Sequence, residues 1–203
     1  EIEKMTHASL TNTASTILEM GKSWIPPMAN SLELVTESEG EENFFAATAS
    51  EHGVILLAPH IGNWEIFGFY LCEKLKSTWL YQPPEFKLMD QFITKTRSRA
   101  GIEMAPTHRI GVSKVLAALR RGEVVGILPD QIPPAEGGRF VPFFGEPALT
   151  MTLPSKLIQK TKAKVFCGFA QRLPNARGYK IIVEEAMSDI YSEDLDESIM
   201  ALN

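Results

Sequence analysis

The chain is expected to be an α/β protein, with a mostly parallel central sheet, helices on both faces and a closing hairpin made of its last two strands. Three observations predict it. From residue 53 onward short apolar runs alternate with helical patterns, the signature of strand–helix–strand units. The 203 residues, 44% apolar and 22% charged, suffice for one domain with a buried core and exclude a disordered or fibrous chain. No apolar run approaches the roughly 20 residues of a membrane-spanning helix, and the longest strip, Val54-Ile55-Leu56-Leu57-Ala58, has the length of a strand.

The elements follow in order. Helical periodicity (Leu10, Ala14, Ile17, Leu18) marks the first segment, with a break at Pro26-Pro27 and a polar, acidic stretch over 37–43. Residues 53–58 read as a strand, and 63–76 as a helix with Ile66, Phe67, Tyr70 and Leu71 at helical spacing. A strand at 78–81 precedes a helix over 85–100 that carries Leu88, Met89, Phe92 and Ile93 on one face. A brief strand at 102–105 leads to a helix over 112–121, closed by Gly122, and to an apolar strand at 124–128 that ends at Pro129-Asp130. A long Gly/Pro-rich loop then runs through Pro133-Pro134 and Gly137-Gly138 toward Phe143-Phe144-Gly145. Residues 152–161 fit a helix with Pro154 in its first turn. Strands at 164–171 and 179–184 join around 175–178 as a hairpin, and the tail from Ser192 reads as an acidic helix. In such sheets chemistry collects at the carboxyl ends of the strands, here the loops at 59–63, 82–84 and 129–138.

The formal net charge of -5 conceals a pattern. Residues 1–51 hold nine acids and two bases, residues 184–203 hold seven acids and no base, and the stretch between holds 18 bases and nine acids. A basic middle favours an acidic or phosphorylated partner. Cys72 and Cys167 belong to no metal-binding or disulfide spacing and read as two buried thiols.

The first loop reads His60-Ile61-Gly62-Asn63-Trp64-Glu65. Asn63 suits the cap of the following helix, and Glu65 falls in its first turn. From there Glu65 is expected to accept a hydrogen bond from one imidazole nitrogen, leaving the other to take a proton from a hydroxyl. The same residues also fit a histidine capping a strand and a carboxylate solvating a helix start, so both readings stay open. No zinc-helix motif or Gly-x-Ser-x-Gly elbow is present. Asp130 stands at a strand end, and Arg139 follows two glycines, placed to grip a phosphate or carboxylate. Lys95, Arg97 and Arg99 form a basic run at a helix end, where cations also serve the helix dipole.

Together these strings resemble a known family. His60 through Glu65 is similar to the HX4(D/E) signature of the glycerolipid acyltransferases. Leu128–Gln131, followed by the run from Gly138 to Gly145, resembles the bacterial lipid A biosynthesis (lauroyl/myristoyl-type, late) branch. The resemblance covers about residues 44–184 and extends through Arg97, Gly101 and Thr150-Met151-Thr152. It implies a glycerol-3-phosphate acyltransferase-like fold and direct transfer of an acyl chain. The donor would be acyl carrier protein or acyl-CoA, and the acceptor a hydroxyl of a phosphorylated glycolipid, most simply a lipid A precursor. It makes His60 the general base and Glu65 its orienting acid, with Arg97, Arg99, Asp130 and Arg139 as substrate-binding candidates. No metal, cofactor or nucleic acid is expected. The resemblance also implies work at the cytoplasmic face of a bacterial inner membrane. Residues 1–43 would be a helical N-terminal part, 44–184 the catalytic core and 185–203 an acidic tail, with an anchor and a C-terminal segment outside the chain. Two alternatives stand beside this reading: another glycolipid acceptor, such as phosphatidylinositol mannoside, and a hydrolase, metal-assisted or not, using His60, Glu65 and Asp130.

Overall fold

Val54, Ile55, Leu56 and Leu57 are apolar without alternation, the pattern of a strand covered on both faces, and all four are buried. The structure, a computed structural model, describes residues 1–25 and 27–203. A long helix α1 (Ile2–Trp24) and a short α2 (Met28–Leu32) lead into strand β1 (Val35–Glu39) and helix α3 (Glu41–Thr48). Of the expected break at Pro26-Pro27, Pro26 lies outside the described residues. Strands and helices then alternate: β2 (Val54–Leu57), α4 (Trp64–Cys72), β3 (Ser77–Tyr81), α5 (Lys87–Ser98), β4 (Ile102–Pro106), α6 (Arg109–Arg120) and β5 (Val124–Ile127). The hairpin β6 (Gly138–Phe143) and β7 (Glu146–Met151) precedes α7 (Leu153–Thr161), β8 (Lys164–Arg172), β9 (Tyr179–Glu185) and α8 (Leu195–Met200).

Seven strands form one sheet in the order β1-β9-β8-β2-β5-β3-β4. From β8 to β4 neighbouring strands are parallel, while β9 returns antiparallel to β8 and pairs in parallel with β1. The expected α/β architecture is the observed one, including the C-terminal hairpin of β8 and β9.

Alternate residues of β2 feed two cores. Val54 and Leu56 pack with Phe44, Ile66, Phe67 and Phe69 on one face, beneath α3 and α4. Ile55 and Leu57 pack with Val115, Leu119, Leu157 and Ile158 on the other, beneath α6 and α7. Gly126 in β5 makes room for the Trp79 indole, because a Cβ there would fall 2.2 Å from the ring.

Three expectations change. The acidic stretch contributes the edge strand β1 and the start of α3, with Glu37, Glu39 and Glu42 exposed and Glu41 half-buried. The Gly/Pro-rich run is a loop only as far as Gly137. Beyond it, β6 and β7 pair in antiparallel register and turn at Phe144-Gly145, both with positive φ. Cys72 is buried, its thiol pushed up to about 11 chiefly by burial, whereas Cys167 is exposed.

Candidate active site

β2 and β5 lie side by side in parallel, with Leu57 opposite Ile127. His60 and Asp130 each follow three residues beyond that matched pair, so the register brings them together at the carboxyl edge of the sheet. The His60 Nδ1 lies 2.9 Å from Asp130 Oδ1, and the His60 backbone N–H donates to Asp130 Oδ2 at 2.7 Å. One carboxylate thus holds both the ring and the backbone of His60.

Partial burial pushes the Asp130 carboxyl up. Hydrogen bonds from the His60 ring and backbone, together with the His60 charge, outweigh this and hold it below the ordinary carboxylate value. An ionised carboxylate only accepts, so in the neutral ring Nδ1 carries the shared proton and Nε2 keeps its lone pair. The Gln131 side-chain nitrogen stands 3.5 Å from Nε2, at the outer limit of a hydrogen bond. The ring meets the edge of Trp64 at 4.7 Å between centroids.

The turn that carries His60 is shaped by its own sequence. Gly62 has φ +63, and a Cβ on it would fall 2.0 Å from the Ala170 carbonyl oxygen. Asn63 donates its backbone N–H to that same carbonyl at 3.0 Å, and its Oδ1 accepts from the Ile66 N–H at 3.1 Å, capping α4 as expected.

Glu65 points elsewhere. It is 4% exposed, and its two carboxylate oxygens accept from Arg97, one from Nε at 3.2 Å and one from Nη2. The expected hydrogen bond between Glu65 and His60 is replaced by two separate pairs, His60 with Asp130 and Glu65 with Arg97. The reason is reach. The first turn of α4 turns Glu65 into the core above Phe69, Trp79 and Ile102, where Arg97 from the end of α5 closes a cavity of about 10 Å³.

The other two arginines have partners of their own. Arg99 donates to the Trp24 carbonyl at the end of α1, and Arg139 pairs with Asp196 of α8 in an exposed contact. The charge map is likewise tempered. Arg139–Asp196, Arg172–Glu19, Lys180–Glu39 and Lys164–Glu185 all join the basic middle to the acidic ends. Among the described residues no group of three or more His, Cys, Asp and Glu side chains could hold a metal ion.

Of the aromatic residues around the motifs, Trp64 borders both His60 and the cavity, and Phe67 is fully buried core. Phe144 is 91% exposed at the hairpin tip. The pairing of His60 with Asp130 escaped the sequence because the adjacency of β2 and β5 joins segments about 70 residues apart. Two apolar strands that each end in Pro plus a polar side chain were the signal available.

At the carboxyl edge of a parallel sheet, an imidazole held at Nδ1 by a carboxylate can accept a proton at Nε2. The family model for bacterial lipid A biosynthesis acyltransferases matches residues 1–203, beyond the 44–184 first assigned, and the chain belongs to that family. It is 30% identical to a lipid A biosynthesis acyltransferase of Haemophilus influenzae, over 85% of this chain and 54% of the relative. It is 26% identical to a lipid A biosynthesis lauroyltransferase of Escherichia coli, over 90% of this chain and 59% of the relative. It is also 27% identical to a phosphatidylinositol mannoside acyltransferase of Mycobacterium tuberculosis, over 77% of this chain and 54% of the relative. The chain therefore spans between 54% and 59% of the length of these relatives.

Proposed function

We propose that the protein transfers a fatty acyl chain from a thioester, on acyl carrier protein or coenzyme A, to a hydroxyl of a phosphorylated lipid A precursor. The observation that carries this reading is the hold of Asp130 on both His60 Nδ1 and the His60 backbone, which leaves the Nε2 lone pair to accept a proton at the sheet edge, with the Gln131 amide 3.5 Å away. His60 Nε2 takes the proton of the acceptor hydroxyl as its oxygen attacks the thioester carbonyl. The carbon–sulfur bond then breaks, and the proton passes from His60 to the departing sulfur. Asp130 stabilises the imidazolium that exists between the two transfers. Glu65 acts at one remove, holding Arg97 against the cavity wall that it shares with Trp64.

Work at the cytoplasmic face of the inner membrane is part of the same proposal. Helix α1 supports it, because Leu10, Ile17 and Leu18 along it and Ile25 just beyond its end stand exposed while its buried residues are Thr16 and Ser23. No helix among the described residues is long and apolar enough to cross a membrane.

The test is transfer of a labelled acyl chain by the full-length protein and a His60→Ala variant, with lipid A precursor, phosphatidylinositol mannoside and water compared as acceptors. Removal of the base is expected to slow transfer by about 10²- to 10⁴-fold. Equal rates for variant and wild type would overturn the mechanism. Free fatty acid as the sole product would favour the hydrolase, and acylated mannoside alone would move the acceptor.

A further inference from the structure

Helix α1 turns a polar stripe toward the protein. Asn12, Thr16, Glu19 and Ser23 recur at spacings of four, three and four, one face of a helix, and Thr16 and Ser23 are buried there. The stripe meets Arg172 at the last position of β8. The Arg172 Nε donates to both Glu19 oxygens, at 2.7 and 2.9 Å, and Nη1 donates to Asn12 Oδ1 at 3.2 Å. Nη2 donates to Thr16 Oγ1 and, at 3.2 Å, to the carbonyl of Gly62. Thr16 Oγ1 lies 3.1 Å from that same carbonyl and 3.0 Å from the Asn12 carbonyl, and its single proton is shared between these two acceptors. Glu19 Oε2 also accepts from Asn63 Nδ2 at 3.0 Å, and Asn63 is fully buried against the Tyr179 hydroxyl, whose pKa burial pushes up to about 12.

The His60 turn is thus gripped at both ends. Asp130 holds His60 itself, and two residues later Arg172 and Thr16 converge on the Gly62 carbonyl. We propose that Arg172, braced by Glu19 and Thr16 of α1, is a positioning residue that fixes the Gly62 peptide and thereby aims the His60 ring. The proposal rests on the reading of His60 as the base. It adds that the N-terminal helix, outside the core first assigned to catalysis, completes the site. A guanidinium is suited to the task because its planar fork reaches a carboxylate, a hydroxyl and a carbonyl at once from one rigid group. A misplacement of the turn by a fraction of an ångström would cost rate while leaving substrate binding largely intact.

The experiment compares full-length wild type with Arg172→Ala, Arg172→Lys, Thr16→Val and His60→Ala in steady-state acyl transfer. Alongside it, proton NMR follows the downfield resonance of the His60 Nδ1–H held by Asp130. Arg172→Ala is expected to lower kcat at least about tenfold, with KM for donor and acceptor changed less than about twofold, and to broaden or lose the resonance. Arg172→Lys is expected to regain part of both. Thr16→Val, which removes the hydroxyl that braces Arg172 Nη2 and shares its proton with the Gly62 carbonyl, should show a smaller loss of the same kind and serves if Arg172→Ala does not fold. An inactive His60→Ala beside an Arg172→Ala with wild-type kcat and resonance overturns this inference alone. A fully active His60→Ala overturns the base reading beneath it. A rise in KM with kcat unchanged would place Arg172 in substrate binding and also overturn the inference.

Discussion

The turn after β2 and the loop after β5 each bring a carboxylate to the same edge of the sheet, and the two carboxylates differ in partner and in setting. Glu65, five residues from His60, is buried against Arg97 and bonds no part of the imidazole. Asp130, about 70 residues away, is 38% exposed at its side chain and holds His60 at two points. Glu65, the second residue of α4, falls on the helix face that packs inward among Phe69, Trp79 and Ile102. Proximity across the sheet delivered Asp130, because neighbouring parallel strands end level. A buried ion pair and an exposed orienting pair should therefore fail in different ways when broken.

The largest expected effect separates them by activity. Asp130→Asn leaves a side chain that still fits the loop but no longer favours a proton on Nδ1, so kcat should fall by about 10²- to 10⁴-fold with the fold intact. Circular dichroism and thermal unfolding of the same samples check the second half of that statement. A kcat within threefold of wild type would remove Asp130 from the site.

Next comes stability. Arg97→Ala strands the Glu65 carboxylate in the core and should destabilise the protein by about 3–5 kcal/mol, read by urea unfolding. The Glu65→Leu, Arg97→Leu double variant removes both charges and should recover most of that loss, since an apolar pair avoids the desolvation cost. If the double variant is as unstable as the single one, the pair is a packing element and its charges are incidental.

The smallest effect concerns pH. Asp130 has a folded pKa below the ordinary carboxylate value, so its pairing stabilises the fold above that value and the contribution is lost as pH falls through the folded one. Exposure limits its size to under about 1 kcal/mol. The stability difference between wild type and Asp130→Asn should be present at neutral pH and disappear in acid. A difference that grows as pH falls would mean the carboxyl is bound in its protonated form.

Much of the fold was legible because local patterns carry it. The continuous apolar run at Val54 to Leu57, Gly122 after α6, and Pro154 in the first turn of α7 each encode an element through its own steric and burial demands. The β6–β7 hairpin was not legible, since Gly, Pro and exposed Phe obscure any alternation and its register depends on pairing across the turn at Phe144-Gly145. Among site residues, His60 stood out through its place after a buried strand, with Asn63 capping the helix beyond it. The contribution of α1 stayed hidden, because Asn12, Thr16 and Glu19 look like ordinary solvated positions until Arg172 is brought to them from β8.

By itself the sequence determined the class of fold, the position of the imidazole at a strand end and the family resemblance, all properties of short windows of chain. Only the tertiary structure decided which carboxylate hydrogen-bonds His60, which arginine pairs with Glu65 and which side chains meet the turn from behind. Those choices depend on the order in which strands lie side by side. In a parallel sheet that order joins segments far apart in sequence, and no local pattern of side chains records it.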